Sequence, residues 1–328
     1  MMMLKPLHAL CDFAALRQIA ERSSWLANIA VIACLCYDGG EVSLWALHRY
    51  PFGERIKSQS SRLRLMLSPP PAWISIYLYP PLAALMLWAG FTAVVVGLNR
   101  RGPGPGRIAL IATLPLLALA HRELWLTSAD GSATGAYRAF VAGSAIWAWH
   151  ELAFYSGVLT GPWRAPCPSD ARGFVRLGYA LGTHLFHELA VLVELALLLW
   201  LLRDGANALG LLVFILSWAM QHSAKLNVLL GVPALNVALF PPHLRYLGSY
   251  WRRRSPRGFF IPSLSVATLL AIMLWSAAHT YELEPAGVRL ALLAALVSLG
   301  AVEHALLALP GRRVAAGVAP ARAPNPGE

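Results

Sequence analysis

Charge is scarce in this chain of 328 residues. Lys, Arg, Asp and Glu together make up 13% of it, about half the share of a soluble globular domain. Mean hydropathy is +0.55, and 57% of residues are hydrophobic. These values exclude an ordinary soluble enzyme and point to a polytopic membrane protein. Cysteine is scarce as well. Cys11, Cys34, Cys36 and Cys167 contain no C-x-x-C pair, which excludes a disulfide framework and a zinc knuckle. Acidic residues number 16 against 27 basic ones. The basic excess lies in short loops beside apolar runs, the orientation signature of a membrane protein and not a nucleic-acid surface. No secretory signal with a small-residue cleavage site is read at the N-terminus.

What the chain does have is long apolar runs. Seven approach the roughly 20 residues that cross a bilayer as a helix: Trp73–Leu98, Ile108–Leu126, Tyr137–Thr160, Leu181–Leu202, Asn207–Gly231, Pro262–Tyr281 and Val288–Leu309. The fold class expected is therefore all-α, a bundle of about seven transmembrane helices. The loops alternate without a break. Arg100, Arg101 and Arg107 follow span 1, and Arg164, Arg172 and Arg176 follow span 3. Arg245 and Arg252–Arg254 follow span 5, and Arg312 and Arg313 follow span 7. The intervening loops are poor in cations. The positive-inside rule then puts span 1 starting outside and the C-terminus inside.

Residues 1–65 do not fit this alternation, because Arg55, Lys57, Arg62 and Arg64 precede span 1 on what should be the outer side. The expectation is a membrane domain over 66–310, with a start near Met66 and 1–65 as an extension or a poorly ordered arm. The Ala-, Pro- and Gly-rich stretch 311–328 has the composition of a disordered cytoplasmic tail.

Several ionisable residues lie inside the apolar runs: His150, Glu151, His184, His187, Glu188, Glu194, His222, Lys225, Glu303 and His304, with Asn227 beside them. Each ionisable group costs at least ~2.5–3.5 kcal/mol in hydrocarbon on insertion scales. A rise of 1.5 Å per residue puts His150, His187, Lys225 and Glu303 about 9–14 Å from the cytoplasmic ends of their spans. His184, His187 and Glu188 share one helical face, and Glu194 continues it. This constellation has four readings. The first is a metal site on His150, Glu151, His187, Glu188, Glu303 and His304, since facing His and Glu side chains build metal sites in bundles. The HELA strings at His150–Ala153 and His187–Ala190 lack the second His of H-E-x-x-H, which excludes a zincin. The second is ligation of a tetrapyrrole metal by imidazole, and the third is proton or ion translocation. The fourth is mutual neutralisation that holds the helices in register. A retinal protein is not favoured, because the last span has no lysine and Lys225 lies near the inner end of the fifth. His121-Arg122-Glu123 and His279 are read as interfacial anchors.

Beyond span 5, Pro241-Pro242 opens an amphipathic segment in which His243, Arg245, Tyr246, Tyr250, Trp251, Arg252, Arg253 and Arg254 are candidates for contact with anionic lipid or a partner protein.

Four strings carry a family resemblance: WAWHELAFYSGVLTGP at Trp147–Pro162 with Ala165–Pro168; HELA at His187–Ala190; SAKLNVLLGVP at Ser223–Pro233 with HLRYLGSYWRRR at His243–Arg254; and VEHALLALP at Val302–Pro310. Together they resemble the PuhE family, photosynthetic complex assembly protein 2 of phototrophic bacteria. The chain departs from that pattern at Ala234, Val237-Ala238 and Ser255-Pro256. The resemblance implies a multi-pass protein of the bacterial cytoplasmic (inner) membrane that supports building the reaction-centre and light-harvesting complexes or their bacteriochlorophyll supply. It leaves enzyme against assembly factor open. A bacteriochlorophyll-type tetrapyrrole or a divalent metal is the cofactor class to look for. A membrane metalloenzyme acting on a tetrapyrrole or lipid, and a small-molecule or proton transporter, are the alternatives.

Overall fold

The computed structural model describes residues 71–233, 240–251 and 258–308. The segment 1–65, Arg252–Arg254 and the tail lie outside them. The described residues are all-helical: α1 (Ala72–Tyr77), α2 (Tyr79–Asn99), α3 (Pro103–Ala112), α4 (Leu114–Thr127), α5 (Ala133–Tyr155), α6 (Gly173–Gly182), α7 (Leu185–Leu201), α8 (Leu209–Leu230), a 3-10 helix (Pro242–Tyr250), α9 (Phe260–Thr280) and α10 (Pro285–Leu307).

Four helical segments are long and apolar enough to cross a membrane: α1–α2 together, α8, α9 and α10. Two bent pairs, α3–α4 and α6–α7, raise the number to six if each counts as one span. Each bend has an identifiable cause. Pro115 stands in the first turn of α4. It lacks an N–H and crowds the preceding turn, and the chain bends by 47° at Thr113. The 66° bend between α6 and α7 is held open by the loop after α5. There Trp163 donates its backbone N–H to Gly182 O (3.1 Å), and His187 donates its own to Thr160 O (3.1 Å). Insertion of chain into a helical ladder is a recognised source of kinks. The expected span Leu181–Leu202 is therefore two helices, of which the second starts at Leu185.

The expected span Tyr137–Thr160 holds the 23-residue α5, which falls outside the segments apolar enough to cross alone. Its position explains this. It packs against α2, α3, α4, α7, α8 and α10, so its surface faces protein and need not be lipophilic. Ser132 caps its start by accepting from Gly135 N (3.0 Å). Its end is a Schellman turn: Gly157, at φ 74°, donates to Phe154 O, and Val158 donates to Ala153 O. The core is built around it, with Phe140 and Ile146 buried against Leu124 of α4, Val191 of α7, Phe214 of α8 and Leu292 of α10. Large apolar side chains on the outer helices, among them Met86, Ile108, Val193 and Met273, are exposed, as a lipid-facing belt would be.

Candidate functional site

The stripe His187, Val191, Glu194 and Leu198 is the buried face of α7. The spacing of 4, 3 and 4 keeps these residues on one side of the helix, and that side meets α5. Glu188, one position on, turns toward α8. Two glutamates of one helix thus serve two different neighbours.

Glu194 sits between two imidazoles. Its Oε1 lies 2.6 Å from His121 Nε2 of α4, and its Oε2 lies 3.3 Å from His150 Nε2 of α5. His121 Nδ1 is 2.8 Å from Leu117 O. A carbonyl only accepts, so Nδ1 carries a hydrogen. His121 and Glu194 therefore share a further proton, as an imidazolium–carboxylate pair or as a neutral imidazole with a carboxylic acid. His121 is thus part of the interior network, which corrects its reading as an interfacial anchor. Two adjacent helical residues point about 100° apart, so His121 and Arg122 cannot both reach the interface on one face. Arg122 stays exposed beside Glu123, and Glu123 accepts from Arg138 of α5 (2.7 Å). His279 does lie exposed near the end of α9, against Glu282 and Tyr77.

Glu188 is held by α8. Lys225 Nζ is 3.1 Å from Oε1, His222 Nε2 is 3.0 Å from Oε2, and Trp218 Nε1 donates to Oε2 (3.1 Å). His184, the residue before α7, approaches within 4.0 Å. Between the two glutamate sites lies Glu151, which accepts from Gln221 Nε2 at 3.1 and 3.3 Å. His187 is 1% exposed. Its Nε2 is 3.8 Å from Glu151 Oε1, and neither of its ring nitrogens has a protein hydrogen-bond partner among the described residues. His150 Nδ1 is also without one. The two rings are 6.4 Å apart, centroid to centroid.

Two of the expected residues leave this network. His304 donates or accepts at both ring nitrogens, to Gly300 O and Ser223 Oγ, each at 2.8 Å, and so fastens α10 to α8. Asn227 donates to Ser263 Oγ (2.9 Å) and fastens α8 to α9. Glu303 instead lines a cavity of about 240 Å³ between α2, α5, α8 and α10, with Glu151, Gln221 and Tyr155 near it and Trp88, Phe91 and Trp147 around the remainder. This volume is below the roughly 300–1,000 Å³ of pockets for drug-sized ligands, and the lining contains no histidine. The cavity does not offer a tetrapyrrole an enclosed site or an imidazole ligand. Among the described residues no group of three or more His, Cys, Asp or Glu side chains is placed to hold a metal ion.

The segment after α8 packs on the end of α5. Leu244, Leu247 and Tyr250 are its buried side, as its amphipathic pattern implies. Polar contacts tie the segment to the end of α5 and the loop after it: His243 Nε2 donates to Tyr155 O (2.9 Å), Tyr250 Oη to Ala165 O (3.0 Å) and Ser249 Oγ accepts from Cys167 N (2.8 Å). Arg176 donates to Tyr250 O (2.5 Å). Arg245 is exposed, while Tyr246 and Trp251 are partly buried. Burial holds the His243 imidazole below its ordinary value of 6.5.

Comparison with known proteins adds a relative from Rhodobacter capsulatus, called an uncharacterized 30.4 kDa protein in the puhA 5′ region. It is 32% identical over 233 residues, which is 70% of this chain and 85% of that protein. No solved structure matches the chain. The model of the DUF3623 family, described as a protein of unknown function, matches residues 74–315, a range that holds every residue of the network above, and the chain belongs to that family.

Proposed function

We propose that the chain is a seven-span protein of the bacterial cytoplasmic membrane, N-terminus outside and C-terminus inside, that supports assembly of the photosynthetic complex. In this reading it is a PuhE-type factor working beside lipid, reaction-centre and light-harvesting subunits, or in their bacteriochlorophyll supply. The observation that carries it is the Rhodobacter capsulatus relative, whose printed name sets it in the puhA 5′ region, within a photosynthesis gene cluster. The structure lends support at the motifs behind the resemblance. TGP at Thr160–Pro162 forms the loop that bends α6–α7. HLRYL at His243–Leu247 clamps the end of α5. Both are device-like positions and not lipid-facing filler. α5 supplies a seventh crossing because it is long enough at 23 residues and is sheltered from lipid by its neighbours.

The test is deletion of the gene in the phototrophic host, followed by absorption spectra and sucrose-gradient profiles of its membranes. The expected result is a loss of assembled reaction-centre and light-harvesting complexes that a plasmid copy restores. Normal complex yield and pigment content in the deletion strain would overturn the reading.

A further inference from the structure

The titratable side chains of the bundle interior form a series along the membrane normal. His121 begins it, six residues before the end of α4, or about 9 Å in at 1.5 Å per residue. Glu151 ends it, four residues before the opposite end of α5, about 6 Å in by the same rise. Between them stand Glu194, His150 and His187. Glu194 presents one oxygen to each of two rings, at 2.6 Å and 3.3 Å. His187 presents one nitrogen toward Glu151 at 3.8 Å. His150 Nδ1 and both ring nitrogens of His187 have no protein hydrogen-bond partner, although the two residues are 3% and 1% exposed.

An unpartnered buried imidazole costs free energy, and a network that only locked helices together would have satisfied it, as His304 is satisfied. Neither end of the series is sealed by protein. His121 is 19% exposed at its side chain, and Glu151 lines the cavity of about 240 Å³ that also holds Glu303.

We propose that His121, Glu194, His150, His187 and Glu151 are a proton path through the middle of the bilayer. An imidazole accepts a proton on one nitrogen and releases one from the other. A carboxylate accepts on one oxygen and releases from the other. No heavy-atom bond changes, and the net event is one proton moved down its gradient from the outer side to Glu151 and out through the cavity it lines with Glu303 to the opposite side. One water or one ring rotation closes the step between His150 and His187. The charges flanking the path are Glu188 with Lys225, His222 and His184 on the inner side, and the Glu123–Arg138 pair on the outer side. Lys225 is already paired with Glu188, so it does not block the path as a free charge. This inference does not depend on the assembly reading.

The experiment uses the full chain in phosphatidylcholine vesicles with trapped pyranine, driven by a valinomycin-clamped potassium gradient. Proton entry several-fold faster than in protein-free vesicles is expected. Glu194→Gln should bring it to the protein-free rate, Glu194→Asp should retain part of it, and Ser298→Ala, away from the path, should match the unmodified chain. If Glu194→Gln does not give monodisperse protein, His187→Gln is read in its place, with the same expectation. A wild-type rate equal to that of protein-free vesicles, or a path variant as fast as wild type, overturns the proposal.

Discussion

A Cβ atom built on Gly143 of α5 would stand 2.5 Å from the carbonyl oxygen of Gly210 of α8. The two backbones touch where they cross, as small residues permit between membrane helices, and backbone cannot yield as a side chain can. Gly143→Ala should therefore force the helices apart and lower stability by about 1–3 kcal/mol, the range for overpacking. Thermal unfolding in detergent, followed by the fluorescence of Trp147 and Trp218, measures it. A variant as stable as the parent would show that the crossing is looser than described.

Glu188 and Lys225 give a second prediction. The pair is mostly buried, with side-chain exposures of 15% and 25%. Removing one partner of such a pair leaves an uncompensated charge and costs about 3–5 kcal/mol, whereas replacing both is often neutral. Lys225→Met should be strongly destabilised, and the double variant Lys225→Met with Glu188→Gln should recover most of the loss. A double variant as unstable as the single one would argue against direct coupling.

Gly161 carries a third. Its Cβ would fall 2.0 Å from Gly182 O, in the loop that holds the α6–α7 bend. Gly161→Ala should displace Thr160, whose carbonyl takes the N–H of His187 (3.1 Å). Faster amide exchange at Leu185–Glu188 is the expected signature, with the rest of α7 unchanged. Uniform exchange along α7 would contradict the wedge.

His243 makes the segment Pro242–Tyr250 sensitive to acid. Its pKa is held down first by burial, against a supporting bond to Tyr155 O and with Arg107 nearby. Protonation would add an N–H at Nδ1, which is buried without a partner. For a group whose folded pKa is depressed, the unfolded state binds more protons below its own value, so the contribution is full above 6.5 and is lost as pH falls through the folded value. Protease cleavage near Pro241 should increase between pH 7 and pH 5, and His243→Gln should remove that increment. An unchanged pH profile in the variant would place the sensitivity elsewhere.

The apolar runs were readable because each helix must present some side chains to lipid, and hydropathy records that. The buried stripe on α7 was readable from the spacing of His187 and Glu194. Three things were not. The break at Thr183–His184 comes from a loop more than twenty residues upstream, which local pattern does not record. His121 looked like an anchor because its neighbours Arg122 and Glu123 face outward, and only the fold shows Glu194 opposite it. The amphipathic side of His243–Tyr250 was visible, but amphipathicity does not say whether the apolar side meets lipid or the end of α5. His304 and Asn227 share the buried chemistry of the site, and only the fold shows that they bond to Ser223 and Ser263 across helix pairs.

The enclosure of α5 bears on how the protein is made. A helix that carries Arg138, His150 and Glu151 and is not among the segments apolar enough to cross alone gains little by partitioning into lipid as it leaves the insertion machinery. Arg138 is neutralised by Glu123 of α4, and His150 and Glu151 meet Glu194 of α7 and Gln221 of α8. The polar groups of α5 therefore find their partners only once α4, α7 and α8 have packed around it, so this helix is the last whose environment is settled as the bundle forms.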